Sequence, residues 1–260
     1  KGQKMKRVVI KVGSHVLSNE DGVCVERVGN LCSFLSELME IYEVILVSSG
    51  AISVGMHRSS IEKTSIVNRQ ILAAIGQPYL MEIYDEAMAK FDTKVAQLLL
   101  TASDFDSRKR TTHAKNLVDG LCKNKILPVI NENDATAIEE IVYGDNDRLS
   151  ASVAHYFDAD MLVILSDIDG YYDDDPRVNK NAKVLKEVNE IDENALVKPA
   201  DAGTKMGTGG IVTKLKAADF MLKNGREMFL SSGFDLKIVR EFLLNNNQIG
   251  GTLFKGKETK

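Results

Sequence analysis

The sequence predicts an α/β fold, a three-layer αβα sandwich with a mostly parallel central sheet. Apolar segments of strand length alternate along the chain with segments of helical periodicity, which is the element order of α/β proteins. Residues 161–167, MLVILSD, are apolar without polar alternation. A strand of this kind is expected to be buried on both faces, as in a parallel sheet.

Each element is placed by its own pattern. Apolar runs predict strands at residues 8–12, 44–50, 95–101, 126–131 and 161–167. Apolar residues that recur every three or four positions predict helices at residues 25–39, 71–91, 114–121, 149–157 and 211–222. Within the second of these helices, Gly76 and Pro78 are expected to bend or divide it.

The composition is that of a globular protein without a strong charge. Of 260 residues, 44% are apolar and 27% charged, and the net charge of −4 argues against a general nucleic-acid surface. No apolar run approaches the roughly 18 residues of a membrane span, and no signal-peptide pattern precedes the first strand. We therefore expect a cytoplasmic protein with no membrane partner. The three cysteines form neither a CxxC pair nor a zinc spacing, so reduced thiols are expected.

Small and polar residues follow four of the predicted strands, at residues 13–14, 48–50, 131–134 and 166–170. Ligands of open parallel sheets bind beyond the carboxyl ends of the strands. The sequence therefore predicts that the functional site is built from these four segments.

Lys11 lies inside the first predicted strand, two residues before Gly13. In an edge strand its side chain would point into solvent. In a buried strand it needs a partner, and it could then reach over the sheet end to a phosphate, with the amides of Gly13 and Ser14 as further donors. Residues 47–51, VSSGA, also have two interpretations. They form either a simple small-residue turn or a second turn that faces a phosphoryl group.

Two later segments, NENDA at residues 131–135 and GDNDRLSA at residues 144–151, are rich in Asn and Asp. Both residue types stabilise turns, and Asn146 or Asp147 could cap the helix that follows. The same side chains also suit an ammonium-bearing ligand or the organisation of lysines. The acidic run at residues 173–175 favours a solvated turn over a metal site.

The stretch GTGG at residues 207–210 directly precedes a predicted helix. It is not a Walker A loop, because Lys214 lies four residues beyond Gly210, inside the helix. The stretch is either a flexible loop, with residues 198–210 as a mobile flap, or an anion site at a helix start.

Taken in order, these segments resemble the amino-acid kinase family. The matching stretches are VVIKVGSHVL, VSSGAISVG, LAAIGQPYLMEIYDE, QLLLTASDF, PVINENDATA, GDNDRLSA, LSDIDGYYDDDPR and GTGGIVTKLKAA, with GGTLF near the end. The combination of SSGAI, NENDA and GTGGIVTK resembles the sequences of the family branch that phosphorylates glutamate. The resemblance implies the amino-acid kinase fold in a single domain over residues 5–260, without the PUA domain of many members. Its N-terminal part would bind substrate and its C-terminal part nucleotide.

The resemblance also implies the roles of individual residues. Lys11 and Lys214 would contact the transferring phosphoryl group, and Asp147 would position these two catalytic lysines. The implied substrate-binding residues are Ser49, Gly50, Asp134 and Asn146. The implied ATP-binding residues are Lys11, Gly13, Ser14, Ser166, Asp167, Thr208, Gly209, Gly210, Ile211, Val212, Thr213 and Lys214. Mg²⁺ would be bound through the nucleotide phosphates, with no protein ligand named.

The activity implied is ATP-dependent phosphorylation of the γ-carboxylate of L-glutamate to L-glutamyl 5-phosphate, the first step of proline biosynthesis. The resemblance further implies a homo-oligomer, L-proline as feedback inhibitor and glutamyl phosphate reductase as pathway neighbour. Two alternatives are a kinase of the same family acting on N-acetylglutamate or aspartate, and a regulator that binds these ligands without turnover. Retention of both lysines together with Asp147 argues against the regulator.

Overall fold

The computed structural model describes residues 5–20, 22–137, 146–197 and 210–257. The strands are β1 Lys6–Val12, β2 Ser18–Asn19, β3 Gly22–Val23, β4 Tyr42–Ser48, β5 Val95–Leu100, β6 Leu127–Glu132, β7 Met161–Ser166, β8 Glu187–Val188, β9 Glu227–Ser232 and β10 Thr252–Phe254. The helices are α1 Ser14–Leu17, α2 Val25–Leu38, α3 Ala51–Arg58, α4 Ile66–Ala89, α5 Ala102–Phe105, α6 Arg108–Lys123, α7 Asp147–Tyr156, α8 Glu193–Leu196, α9 Ile211–Lys223 and α10 Lys237–Asn245.

The central sheet has eight strands in the order β5-β6-β4-β1-β7-β9-β10-β8. All neighbouring strands in it are parallel except β9 and β10. One hydrophobic core lies between the sheet and α2, α4 and α10, and a second lies between the sheet and α6, α7 and α9. The predicted three-layer sandwich with a mostly parallel sheet is thus confirmed.

Alternation along β1 assigns its side chains to the two cores. Val8, Ile10 and Val12 belong to the core beneath α2 and α4, and Val9 belongs to the core beneath α7 and α9. Side chains of a strand alternate between faces, so Lys11 points toward α7 and α9. On β6, the same rule places Asn131 on the α4 face with Leu127 and Val129.

The four polar segments predicted to form the site follow β1, β4, β6 and β7. In the sheet these strands are consecutive neighbours, in the order β6-β4-β1-β7, and run parallel. Their carboxyl ends therefore meet at one edge, as the sequence predicts.

Helix α4 differs from the prediction because it is a single helix of 24 residues with Pro78 inside it. Proline removes one intrahelical hydrogen bond, but one face of the helix is buried on both sides of this position, from Leu72 to Met88. This packing keeps the helix undivided. The sequence analysis also did not identify α3, β9 and α10; α3 combines small residues and Gly55 in a pattern with weak helical periodicity.

Two glycines explain how α3 and α4 pack. A Cβ atom on Gly76 would lie 1.7 Å from the carbonyl oxygen of Ala51, and one on Gly55 would lie 2.0 Å from that of Leu72. Only glycine allows the two backbones to approach so closely. The contact fixes α3 against α4 beside the functional edge of the sheet.

Cys24, Cys32 and Cys122 are all free, and burial raises the pKa of Cys32 to about 12. Within the described ranges, no helix is long and apolar enough to cross a bilayer.

We expect Gly76→Ala to destabilise the protein, because its methyl group must displace backbone atoms of α3. Overpacking of this kind costs about 3 kcal/mol or more, so Tm should fall by roughly 6 °C or more in a thermal melt. Gly120→Ala is the matched control, since Gly120 lies in α6, is exposed, and a Cβ there meets no atom within 4 Å. This substitution should raise Tm slightly, because alanine favours a helix by about 0.5–1 kcal/mol over glycine. Equal Tm values for the two variants would show that α3 and α4 can separate at no cost.

Candidate active site

Lys11 is almost completely buried, with 3% of its surface exposed. Strand β1 lies between β4 and β7, so the interpretation of β1 as an edge strand is wrong. The Lys11 Nζ atom lies 2.7 Å from Oδ1 of Asp147. The lysine inside the strand therefore has the partner that burial requires.

Asp147 is the first residue of α7 and is fully buried. Its Oδ2 atom accepts hydrogen bonds from Lys214 Nζ at 3.2 Å and from Thr213 Oγ1 at 2.9 Å. One carboxylate thus joins a lysine of β1 to a lysine of α9, residues that are far apart in the sequence. Its position at a helix N-terminus further favours the negative charge.

The three charged side chains of this cluster, Lys11, Asp147 and Lys214, carry two positive charges and one negative. Both ammonium groups are held at the carboxyl edge of the sheet, and both lysines are at most 5% exposed. Charges in such a poorly hydrated place act more strongly than in water. The arrangement suits an anionic group such as a phosphoryl.

The N-terminus of α9 lies beside this cluster. Gly210 is its exposed N-cap residue, and a Cβ atom there would meet no atom of the described residues within 4 Å. The N-terminus of a 13-residue helix can bind phosphate through its first amides. Ile211, Val212 and Thr213 form its first turn. Residues 198–209 of the predicted flap, which include Thr208 and Gly209, lie outside the described residues.

Predicted nucleotide residues also lie at the ends of β1 and β7. The Gly13 N–H donates to the carbonyl of Leu165 at 3.3 Å, so its role would be to leave room for a phosphate and not to donate to it. Ser14 begins α1. The Ser166 hydroxyl donates to Oδ1 of Asp167 at 3.0 Å, and the half-exposed Asp167 lies 3.9 Å from Nδ1 of His15.

The predicted substrate residues gather on the other side of Asp147, at the ends of β4 and β6. The Ser49 N–H donates to the carbonyl of Val12 at 3.2 Å, which ties the β4 end to β1. Gly50 begins α3 with φ 114°, a left-handed conformation that requires glycine.

Asp134 lies in a small cavity between α3, α4 and the β6 end. The cavity is lined by Ala51, Ala73, Ala74, Gln77, Leu99, Glu132, Asn133, Asp134 and Ala135. Burial and the Arg69 charge lower the pKa of Lys63, and the Asp134 carboxylate opposes that shift. Asp134 therefore shares its cavity with a second carboxylate, Glu132, and interacts electrostatically with Lys63.

Asn146 occupies the N-cap position of α7, but its side chain makes no capping hydrogen bond. Its Nδ2 atom instead donates to Oδ1 of Asn131 at 2.8 Å and to the carbonyl of Ser48 at 3.2 Å. The alternative in which Asn146 is only a helix cap is therefore wrong. Asn146 belongs to the β4–β6 side of the site, and the adjacent Asp147 belongs to the lysine side.

The sequence analysis missed contributions from α4. Gln77 is buried and accepts from Nδ2 of Asn131 at 2.8 Å. The hydroxyls of Tyr84 and Ser48 lie 2.7 Å apart, and burial raises the pKa of Tyr84, which keeps it neutral. A glutamine within the apolar stripe of a helix was a signal that could have identified Gln77.

Among the residues that the structure describes, no three His, Cys, Asp or Glu side chains form a group able to hold a metal ion. The Asp173–Asp175 run belongs to an exposed turn in which Asp175 pairs with Arg177 at 2.7 Å.

Known proteins resemble this chain in sequence and in fold. The pattern that defines the amino acid kinase family matches residues 6–232. Glutamate 5-kinases of Leishmania donovani and Wolinella succinogenes are each 49% identical to the chain. The first alignment covers 97% of the chain and 96% of the relative, and the second 96% and 98%.

A solved carbamate kinase of Giardia lamblia, bound to AMP-PNP, matches with a TM-score of 0.65 at 16% identity, over 97% of this chain and 99% of that one. At that identity the likeness concerns the fold. The family pattern spans most of the chain, and the two glutamate 5-kinases align with the chain over nearly their whole length. The chain therefore belongs to the amino acid kinase family, in its glutamate 5-kinase branch.

Proposed function

We propose that the chain is a kinase that uses ATP to phosphorylate the γ-carboxylate of L-glutamate, giving L-glutamyl 5-phosphate for proline biosynthesis. The observation that carries this proposal is the buried Asp147, which holds Lys11 and Lys214 together at the sheet edge. The glutamate 5-kinases that the chain matches over nearly their whole length support the choice of substrate.

The reaction needs little proton chemistry. A γ-carboxylate has a pKa of about 4.3 and is ionised at neutral pH, so no general base is required. What opposes the reaction is the approach of this anion to an anionic phosphoryl group. Lys11 and Lys214 would offset that repulsion, and Asp147 would hold both ammonium groups in position.

The residues present fit a nucleotide. Lys11, Lys214 and the N-terminus of α9 supply positive charge and amide donors, and among the described residues Gly13 and Gly210 leave space for phosphates. Ser14, Ser166 and Asp167 would border the same site. Mg²⁺, bound through the nucleotide phosphates, would neutralise part of their charge.

Glutamate would lie on the other side of residues 146–147. The Asp134 carboxylate would bind its α-ammonium group, and Ser49, Gly50 and Asn146 would complete the pocket. This arrangement gives one domain in which the N-terminal part binds the amino acid and the C-terminal part binds the nucleotide.

The proposal includes further partners. L-Proline shares the α-amino acid head of glutamate, so a pocket that reads this head can also take proline as an inhibitor. Exposed apolar side chains on α3 and α4, among them Met56, Val67 and Ile71, would be buried in a homo-oligomer. An acyl phosphate is labile, which favours glutamyl phosphate reductase as the next enzyme.

The test of the proposed function is ADP release from MgATP with different acceptors. Glutamate should support turnover, whereas N-acetylglutamate should fail because its amide nitrogen carries no charge for Asp134. Aspartate should fail because its shorter side chain does not reach the phosphoryl group. Faster turnover with either of these than with glutamate would contradict the proposal.

Lys214→Ala should lower kcat by at least ~100-fold, which corresponds to losing roughly 3 kcal/mol of transition-state stabilisation. ATP affinity, measured by calorimetry, should weaken much less. Lys216→Ala is the matched control, because Lys216 is an exposed lysine of the same helix. A Lys214→Ala enzyme with the kcat of the control would remove Lys214 from the mechanism.

Asp134→Ala should raise the glutamate KM by roughly 10- to 150-fold, since a charged hydrogen bond contributes about 1.5–3 kcal/mol. The ATP KM should stay within about threefold of wild type. Glutarate, which lacks the amine, serves as the chemical control, and its Ki should change little. A larger change for ATP than for glutamate would place Asp134 on the nucleotide side.

A further inference from the structure

A chain of side-chain amides runs from β5 through α4 to the start of α7. Gln77 Nε2 donates to Oε1 of Gln97 at 2.9 Å, and Asn131 Nδ2 donates to Oε1 of Gln77 at 2.8 Å. Asn146 Nδ2 then donates to Oδ1 of Asn131 at 2.8 Å. Gln97 is exposed, and the other three residues are buried.

The orientation of these amides is fixed by backbone groups, which can either only donate or only accept a hydrogen bond. The Glu132 N–H donates to Oδ1 of Asn131 at 2.8 Å, so the Asn131 oxygen must face that side and its nitrogen must face Gln77. At the other end, the carbonyl of Ser48 accepts from Asn146 Nδ2. A backbone N–H cannot accept and a carbonyl cannot donate, so the amides cannot all be reversed.

One consequence concerns Asn146. Both protons of its Nδ2 are used, one by Asn131 and one by Ser48, so the remaining polar atom is the acceptor Oδ1. Among the described residues no donor is hydrogen-bonded to this oxygen. It belongs to the residue where β4, β6 and α7 meet, beside the proposed glutamate pocket.

We propose that Gln77 is a positioning residue which, through Asn131, holds the Asn146 amide with its oxygen available to the amino-acid substrate. The site then favours a hydrogen-bond donor on the substrate α-carbon and rejects an acceptor there. This inference rests on the proposed function for the identity of the substrate. Gln77 itself would contact neither substrate nor nucleotide.

The first test uses wild type and two competitive inhibitors that differ only at the α-carbon. 2-Hydroxyglutarate carries a donor hydroxyl, whereas 2-oxoglutarate carries only an acceptor. The Ki of 2-oxoglutarate should be roughly tenfold higher or more than that of 2-hydroxyglutarate. Its keto oxygen and the Asn146 oxygen are both acceptors and form no hydrogen bond, and the loss of one hydrogen bond weakens binding by about a factor of ten. Equal inhibition of wild type by the two compounds would overturn the inference without any variant.

The second test is Gln77→Met, which keeps the volume and removes the acceptor for Asn131. Asn131 then keeps its hydrogen bond from the Glu132 N–H but loses the one that holds its nitrogen, so it positions the Asn146 amide less firmly. Glutamate KM should rise roughly tenfold with kcat and ATP KM nearly unchanged, and the preference for 2-hydroxyglutarate over 2-oxoglutarate should shrink. A role limited to stability would lower Tm and leave that preference intact, which would overturn the inference.

Gln77→Glu is the rescue variant. Its carboxylate still accepts from Asn131 Nδ2, and the exposed Gln97 amide can turn to donate to it. Glutamate KM should stay within about threefold of wild type, and a Gln77→Glu enzyme that behaves like Gln77→Met would overturn the inference. Wild type that forms no ADP with glutamate would overturn the proposed function, whereas an active wild type with unchanged KM in Gln77→Met would overturn this inference alone.

Discussion

The burial of the Asp147 carboxylate is the constraint on which the site depends. A fully buried carboxylate must be paired, and two almost fully buried lysines require a carboxylate in turn. Lys11 comes from the centre of the sheet and Lys214 from α9, so this ion cluster joins β1, α7 and α9. Removing one partner of a buried pair leaves an uncompensated charge, at a cost of about 3–5 kcal/mol. The cluster therefore couples the fold of the nucleotide side to the chemistry proposed for it.

The two halves of the site approach from opposite faces of the sheet. Lys11 points to the α7–α9 face, whereas Asn131 points to the α4 face, because strand side chains alternate. The two sets meet at the start of α7, where Asn146 contacts Asn131 and Asp147 contacts the lysines. A single peptide bond thus links the amide chain to the ion cluster. Because of this link, the residue proposed to bind the amino acid and the residue that holds the two lysines cannot move independently.

Much of this arrangement could be predicted from the sequence, because strand ends and their polar residues are local features. The strand pattern alone did not give the partner of Lys11, since an edge strand and a central strand look alike until the sheet order is known; the family resemblance was what implied Asp147. Gly76 and Pro78 suggested a divided helix, but the packing of α4 outweighs the hydrogen bond that Pro78 removes. Gln77 was missed because its role depends on a hydrogen bond from Asn131, more than fifty residues away. The roles of Thr208 and Gly209 stay predictions, since these residues lie outside the described part of the chain.

The two sides of the site are held by different means. On the amino-acid side, backbone contacts of Gly55 and Gly76 fix α3 against α4, and α3 begins at the left-handed Gly50. Buried hydrogen bonds of Gln77 and Tyr84 add further ties from the same helix. On the side proposed for the nucleotide, the corresponding contacts come from long lysine side chains and from the N-terminus of α9, where no atom of the described residues lies within 4 Å of a Cβ built on Gly210. Backbone contacts tolerate little displacement, whereas lysine side chains adjust through several torsions. The acceptor carboxylate would therefore be held in a fixed position, and the lysine torsions would allow both ammonium groups small adjustments toward the phosphoryl group while they stay paired with Asp147.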